Sequence, residues 1–99
     1  MPENPNPSPQ NGPRPRVEGI LAQGRECQKR ADRFRSSGQR SLADEQLRRA
    51  IAQYSEAIRI DPTHSTAYLL RARAFEQQGE DDKAEADLAQ AQRINSDGS

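Results

Sequence analysis

A chain of 99 residues with 31% hydrophobic and 30% charged residues has room for one small domain with a thin core. Fifteen basic residues balance fifteen acidic ones, so no net field draws the chain to nucleic acid or to an anionic membrane. One cysteine excludes an internal disulfide framework, one histidine cannot make a metal site alone, and nowhere do eighteen apolar residues run together to span a bilayer.

The balance hides a polarity. Residues 1 to 49 hold ten Lys/Arg and six Asp/Glu, whereas residues 50 to 99 hold five and nine. Residues 1–16 place Pro2, Pro5, Pro7, Pro9, Pro13 and Pro15 among Asn, Ser, Gln and Arg, a composition too poor in apolar groups to offset its conformational entropy. The expectation is a disordered tail. It contains no signal-peptide core and no amphipathic transit helix, which points to a cytoplasmic protein.

From residue 17 the texture becomes helical. The spacing predicts a first helix over 17–36, with Ile20, Cys27, Ala31 and Phe34 on one face, ended by Ser36-Ser37-Gly38. A second is expected from Ser41, capped by its hydroxyl with Asp44 and Glu45 favoured by the dipole, and carrying Leu47, Ile51, Tyr54 and Ile58. Asp61-Pro62 stops it. A third runs over 65–78, capped by Thr63 or Ser65, with Tyr68, Ala72 and Phe75 on one face and Gly79 at its end. The fourth, over 82–94, shows a stripe of Ala84, Leu88, Ala91 and Ile94. The expected core is Ala31, Phe34, Ala50, Tyr54, Ala57, Tyr68, Ala72, Phe75, Ala84 and Leu88.

The second half repeats the first. Arg71-Ala72-x-x-Phe75-x-x-x-Gly79 echoes Arg30-Ala31-x-x-Phe34-x-x-x-Gly38, and Ala84-x-x-x-Leu88-x-x-Ala91 echoes Ala50-x-x-x-Tyr54-x-x-Ala57. In this alignment seven extra residues, Gln39 to Glu45, lengthen the second helix. The pattern resembles the tetratricopeptide repeat family, most specifically in Tyr54-Ser55-Glu56-Ala57-Ile58-Arg59-Ile60-Asp61-Pro62 and in Tyr68-x-x-Arg71-Ala72-x-x-Phe75. Cys27 stands where the family has a bulky residue, and Ser96 where it has proline. The resemblance implies an all-α fold of two antiparallel helix pairs, copy one over about 17–62 and copy two over about 63–96, with residues 97–99 as a second tail.

No catalytic constellation accompanies this pattern, and the reading is of a protein that is not an enzyme and takes no cofactor or metal. His64 is read as a solvated turn residue and Cys27 as a buried small hydrophobe. The seven arginines Arg25, Arg30, Arg33, Arg35, Arg40, Arg48 and Arg49 are read as a solvated, salt-bridged surface.

In the family that the chain resembles, the first helices of successive repeats line a groove for a partner's peptide. By alignment the groove-facing residues are Arg25, Gln28, Lys29, Asp32, Arg35 and Ser36 from copy one. Copy two supplies Leu69, Leu70, Arg73, Glu76 and Gln77. The cations among them favour an acidic peptide or a free carboxylate. The function expected is that of a protein–protein interaction module, an adaptor or assembly factor. A self-associating scaffold is the second reading, with a homodimer formed by the lengthened first helix pair through Val17, Ile20 and Leu21. Nucleic-acid binding through the Arg-rich half is the third, disfavoured by zero net charge and the lack of exposed aromatics.

Overall fold

The computed structural model describes residues 13–98. Four α-helices follow one another, α1 (Pro13–Ser36), α2 (Arg40–Ile60), α3 (Ser65–Gln78) and α4 (Asp81–Gly98), with no strand among the described residues. Each packs antiparallel on its predecessor, and α1 also touches α3 along one side.

α3 occupies the span that the sequence predicts, and the other three helices depart from it at their ends. α1 begins at Pro13, four residues early, because a proline in the first turn sacrifices only an amide that has no helical acceptor. The tail expected over 1–16 otherwise lies outside the described residues, as does Ser99, while Asp97 and Gly98 continue α4. α2 starts at Arg40 without a side-chain cap, so Ser41 is not its cap and Asp44 and Glu45 lie beyond the first turn. Neither Thr63 nor Ser65 caps α3, because His64 takes that position and Thr63 instead bonds the Asp61 carboxylate, 2.8 Å from Oγ1 and 3.2 Å from its amide.

The two hairpin turns are copies of each other. Gly38 and Gly79 both adopt the left-handed conformation, at φ 79° and 82°, which a side chain would strain. In each turn the glycine amide bonds back three residues, to Arg35 or Glu76, and the next amide bonds back five, to Phe34 or Phe75. With the turns superposed, Ala43, Leu47 and Ala50 correspond to Ala84, Leu88 and Ala91, so the pairing of Ala50, Tyr54 and Ala57 with those three is two turns out of register. Nothing is therefore inserted at Gln39 to Glu45, and the residues by which α2, at 21, exceeds α4, at 18, lie at its far end. Their partner is the early part of α1.

That partnership fills the front of the core. Val17 and Leu21 are fully buried with Ala31, Ala43, Leu47, Ala50, Tyr54 and Ala57, so they are not free to dock a second copy. Behind them Ala72, Ala84 and Ala91 let α3 and α4 approach closely, with Tyr68 as the bulky filler, while Ala67 and Ala74 of α3 join the front core. Phe34 and Phe75 are half-buried, and Leu88 is 37% exposed whereas its counterpart Leu47 is wholly covered. The difference follows from position: α3 lies over α2, and among the described residues no helix lies over α4.

Candidate functional site

α1 and α3 run side by side, and the trough between them is the candidate site. Arg25, Gln28, Lys29, Asp32, Leu70, Arg73 and Gln77 line a depression of about 230 Å³ there. Seven of the eleven groove residues expected from the alignment are thus brought together. Arg35 borders a second depression with Arg40, Ala43, Asp44 and Gln77. Ser36, Leu69 and Glu76 are exposed and do not line the trough, Leu69 being 43% accessible.

Several of these side chains hold the helices together. Tyr54 donates its hydroxyl to Oε1 of Gln28, Gln28 Nε2 donates to Gln77 Oε1 at 3.2 Å, and Gln77 Nε2 donates to Asp32 Oδ1 at 3.2 Å. Gln28 is buried, so it forms the floor of the trough and not a free contact. Arg35 reaches the Gln77 carbonyl oxygen at 3.4 Å, and Lys29 pairs with Glu26 at 3.4 Å. Arg25 and Arg73 differ: among the described residues neither makes a hydrogen bond or ion pair. They stand on opposite walls, close enough that both act on the Tyr54 hydroxyl.

Burial pushes the Tyr54 hydroxyl up to about 12, with Arg25 and Arg73 pulling the other way. An acid whose folded pKa is raised favours the folded state fully below its unfolded value, near pH 10, and loses that advantage as pH climbs to 12. A steep fall in melting temperature between pH 10 and 12 is expected, and Tyr54→Phe should flatten it. Equal falls in the two proteins would place the titration elsewhere.

At the other end of the trough His64 Nε2 lies 3.1 Å from a Glu18 carboxylate oxygen. With its side chain only 21% exposed, His64 is a clasp between the inter-repeat turn and α1, not a solvated turn residue. Glu18 falls within the first helix as predicted, but its pairing with the inter-repeat turn depends on how α1 and α3 pack and was not legible in the sequence.

The strongest polar contact lies on α3 and α4. Arg71 Nε and Nη2 donate to both Asp87 oxygens at 2.8 Å, and Nη1 donates to Ser55 Oγ at 3.1 Å. The guanidinium also lies 5.9 Å from the Tyr68 ring centre and 5.7 Å from that of Phe75. Hydrogen bonding to Asp87 holds the Arg71 pKa above the ordinary arginine value, against burial. Asp87 is 5% exposed: three residues after Ala84 and four before Ala91, it shares their buried face of α4.

Among the described residues no group of three or more His, Cys, Asp or Glu is placed to hold a metal, and no helix is long and apolar enough to cross a membrane. No curated protein and no solved structure matches the chain. A family model described as tetratricopeptide repeat matches residues 41–98, which covers α2, α3 and α4 and more than half of the sequence. Four helices in two hairpins with superposable glycine turns are consistent with this match. The chain belongs to the tetratricopeptide repeat family.

Proposed function

We propose that the trough between α1 and α3 binds an acidic segment of a partner protein, and that the chain works as a non-catalytic adaptor or assembly factor. The observation that carries this reading is the pair of unbonded guanidiniums, Arg25 and Arg73, on opposite walls above a buried amide floor. Leu70 in the trough and Leu69 on its rim add apolar surface beside the charges. An aspartate or glutamate between the arginines would gain charge-assisted hydrogen bonds, and a neighbouring apolar side chain would cover the leucines.

The cross-helix bonds through Gln77 favour an extended segment over a helix, because they hold the trough narrow. Both ends of the stack are largely polar, which supports a monomer over a self-associating scaffold. On α1, Glu26, Lys29 and Arg33 stand where α3 has Ala67, Leu70 and Ala74. On α4, Gln92 stands where α2 has Ile51. Nucleic acid is disfavoured because the arginines are dispersed: Arg25 faces the trough, Arg35 and Arg40 the end of α1, and Arg49 pairs with Glu45 at 3.1 Å. All four aromatic rings are buried or half-buried, which leaves no stacking platform. A cytoplasmic setting is part of the same proposal.

Titrating the full chain with peptides rich in Asp and Glu tests the reading. Arg25→Glu with Arg73→Glu should weaken binding by at least tenfold, and raising the salt from low to physiological should weaken it too, since exposed charges are screened over about 8 Å. Binding indifferent to both changes would remove the trough from consideration.

A further inference from the structure

A depression roomier than the trough is on the opposite side of the first hairpin. It holds about 490 Å³ between α1 and α2, with Cys27 at its base and Gln23, Glu26, Arg30, Arg49, Ala52 and Gln53 around it, Glu26 being paired with Lys29. The internal repeat explains why it exists. Forty-one residues later in the chain, at the same distance from the glycine turn, Cys27 becomes Tyr68, Arg30 becomes Arg71 and Gln53 becomes Ile94. In the second hairpin the Tyr68 ring is buried at that place, with the Arg71 guanidinium 5.9 Å from its centre. In the first hairpin a thiol stands where the ring would be. Cys27 is accordingly half-buried at the base of a cleft, and not a sealed core residue.

The arginine beside the cleft has also been released. Arg71 is tied by Asp87, but the counterpart of Asp87 is Gln46, whose Oε1 is buried without a hydrogen-bond partner. Arg30 makes no hydrogen bond or ion pair among the described residues. A guanidinium without a carboxylate partner, beside a slot that holds an aromatic ring in the sister repeat, has the elements of a cation–π receptor.

We propose that this cleft receives a tyrosine or phenylalanine side chain from a partner protein. The ring would lie against Cys27 and Ala52, and Arg30 would cover it as Arg71 covers Tyr68. A second copy of the chain is a poor donor, because its two tyrosines and two phenylalanines are all buried or half-buried in its own fold. The cleft is independent of the trough, and the two surfaces could engage one partner on both sides of α1.

The test uses the full chain, isotope-labelled, and three tripeptide probes: N-acetyl-Ser-Tyr-Ser-amide, its Phe analogue and its Leu analogue. The Tyr and Phe probes should shift the amide signals of Cys27, Arg30 and Gln53, and should slow labelling of Cys27, the only cysteine in the chain, by a disulfide reagent. The Leu probe should do neither. Cys27→Tyr, which fills the slot from within, should abolish the shifts. Arg30→Gln, a change on an exposed side chain that keeps the fold, should weaken Tyr binding about threefold, as expected for an exposed cation–π contact. Arg25→Glu with Arg73→Glu should leave it unchanged. The proposal is overturned if the Tyr probe gives no shifts up to its solubility limit, if Leu matches Tyr, if the shifts map to the trough, or if Arg30→Gln has no effect.

Discussion

Asp87→Ala is expected to destabilise the protein by about 3 kcal/mol, the lower end of what is lost when one partner of a buried ion pair is removed. Asp87 is 5% exposed and accepts two bonds from Arg71 at 2.8 Å, so its loss leaves a guanidinium wedged between α3 and α4 with only Ser55 as acceptor. The lower end applies because the Arg71 side chain retains 22% exposure, and water can reach part of the orphaned charge. In a domain of this size that cost corresponds to a fall of about 12–24 °C in melting temperature. Replacing both partners, Arg71→Met with Asp87→Leu, should restore most of the loss, because the penalty arises from the unpaired charge and not from the missing attraction. A melting temperature within a few degrees of the parent for Asp87→Ala alone would show that the pair is solvated in solution.

Two glycines in α1 should respond in opposite directions to a side chain. At Gly24 an added Cβ would come within 2.4, 2.8 and 2.9 Å of three atoms of the Tyr54 ring. That ring is fully buried and hydrogen-bonded to Gln28, so it has nowhere to swing. Gly24→Val is expected to cost about 3 kcal/mol, the upper end of overpacking effects, which outweighs the gain of up to about 1 kcal/mol from removing a helical glycine. At Gly19 nothing lies within 4 Å of the same atom, and Gly19→Ala should stabilise by about 1 kcal/mol through helix propensity alone. Chemical denaturation of the two variants separates these outcomes, and equal effects would mean that α1 and α2 do not cross at Gly24.

The glycine turns, the apolar faces and the proline stop made the four helices legible in the sequence, because each depends on local chemistry within a few residues. The register of α2 was not legible in the same way. Its Ala43, Leu47, Ala50, Tyr54 and Ala57 read as Ala-x-x-x-large-x-x-Ala twice over, seven residues apart, and either reading fits the second copy. Only the distance from Gly38 decides between them, and that is a property of the folded turn. Seven of the expected groove residues line one trough because helix periodicity fixes which face they share. Their roles were less legible. Gln28 and Gln77 are polar residues on that face, but whether such a side chain meets a ligand or its neighbour across the gap depends on the spacing of α1 and α3. Asp87 shows the same limit, since a carboxylate on a charged helix looks solvated until the position of Arg71 is known.

The order of packing has a kinetic consequence. Every large interface joins helices adjacent in the chain, and α1 meets α3 only along one side. Little loop-closure entropy stands between the unfolded chain and its first native contacts, which is the condition for folding in about microseconds to milliseconds. The front hairpin, holding Val17, Leu21, Leu47 and Tyr54, buries the largest side chains in the molecule and is the natural nucleus. The alanine-lined second hairpin would then condense on a preformed surface, with the Gln28, Asp32 and His64 contacts to the other repeat closing last.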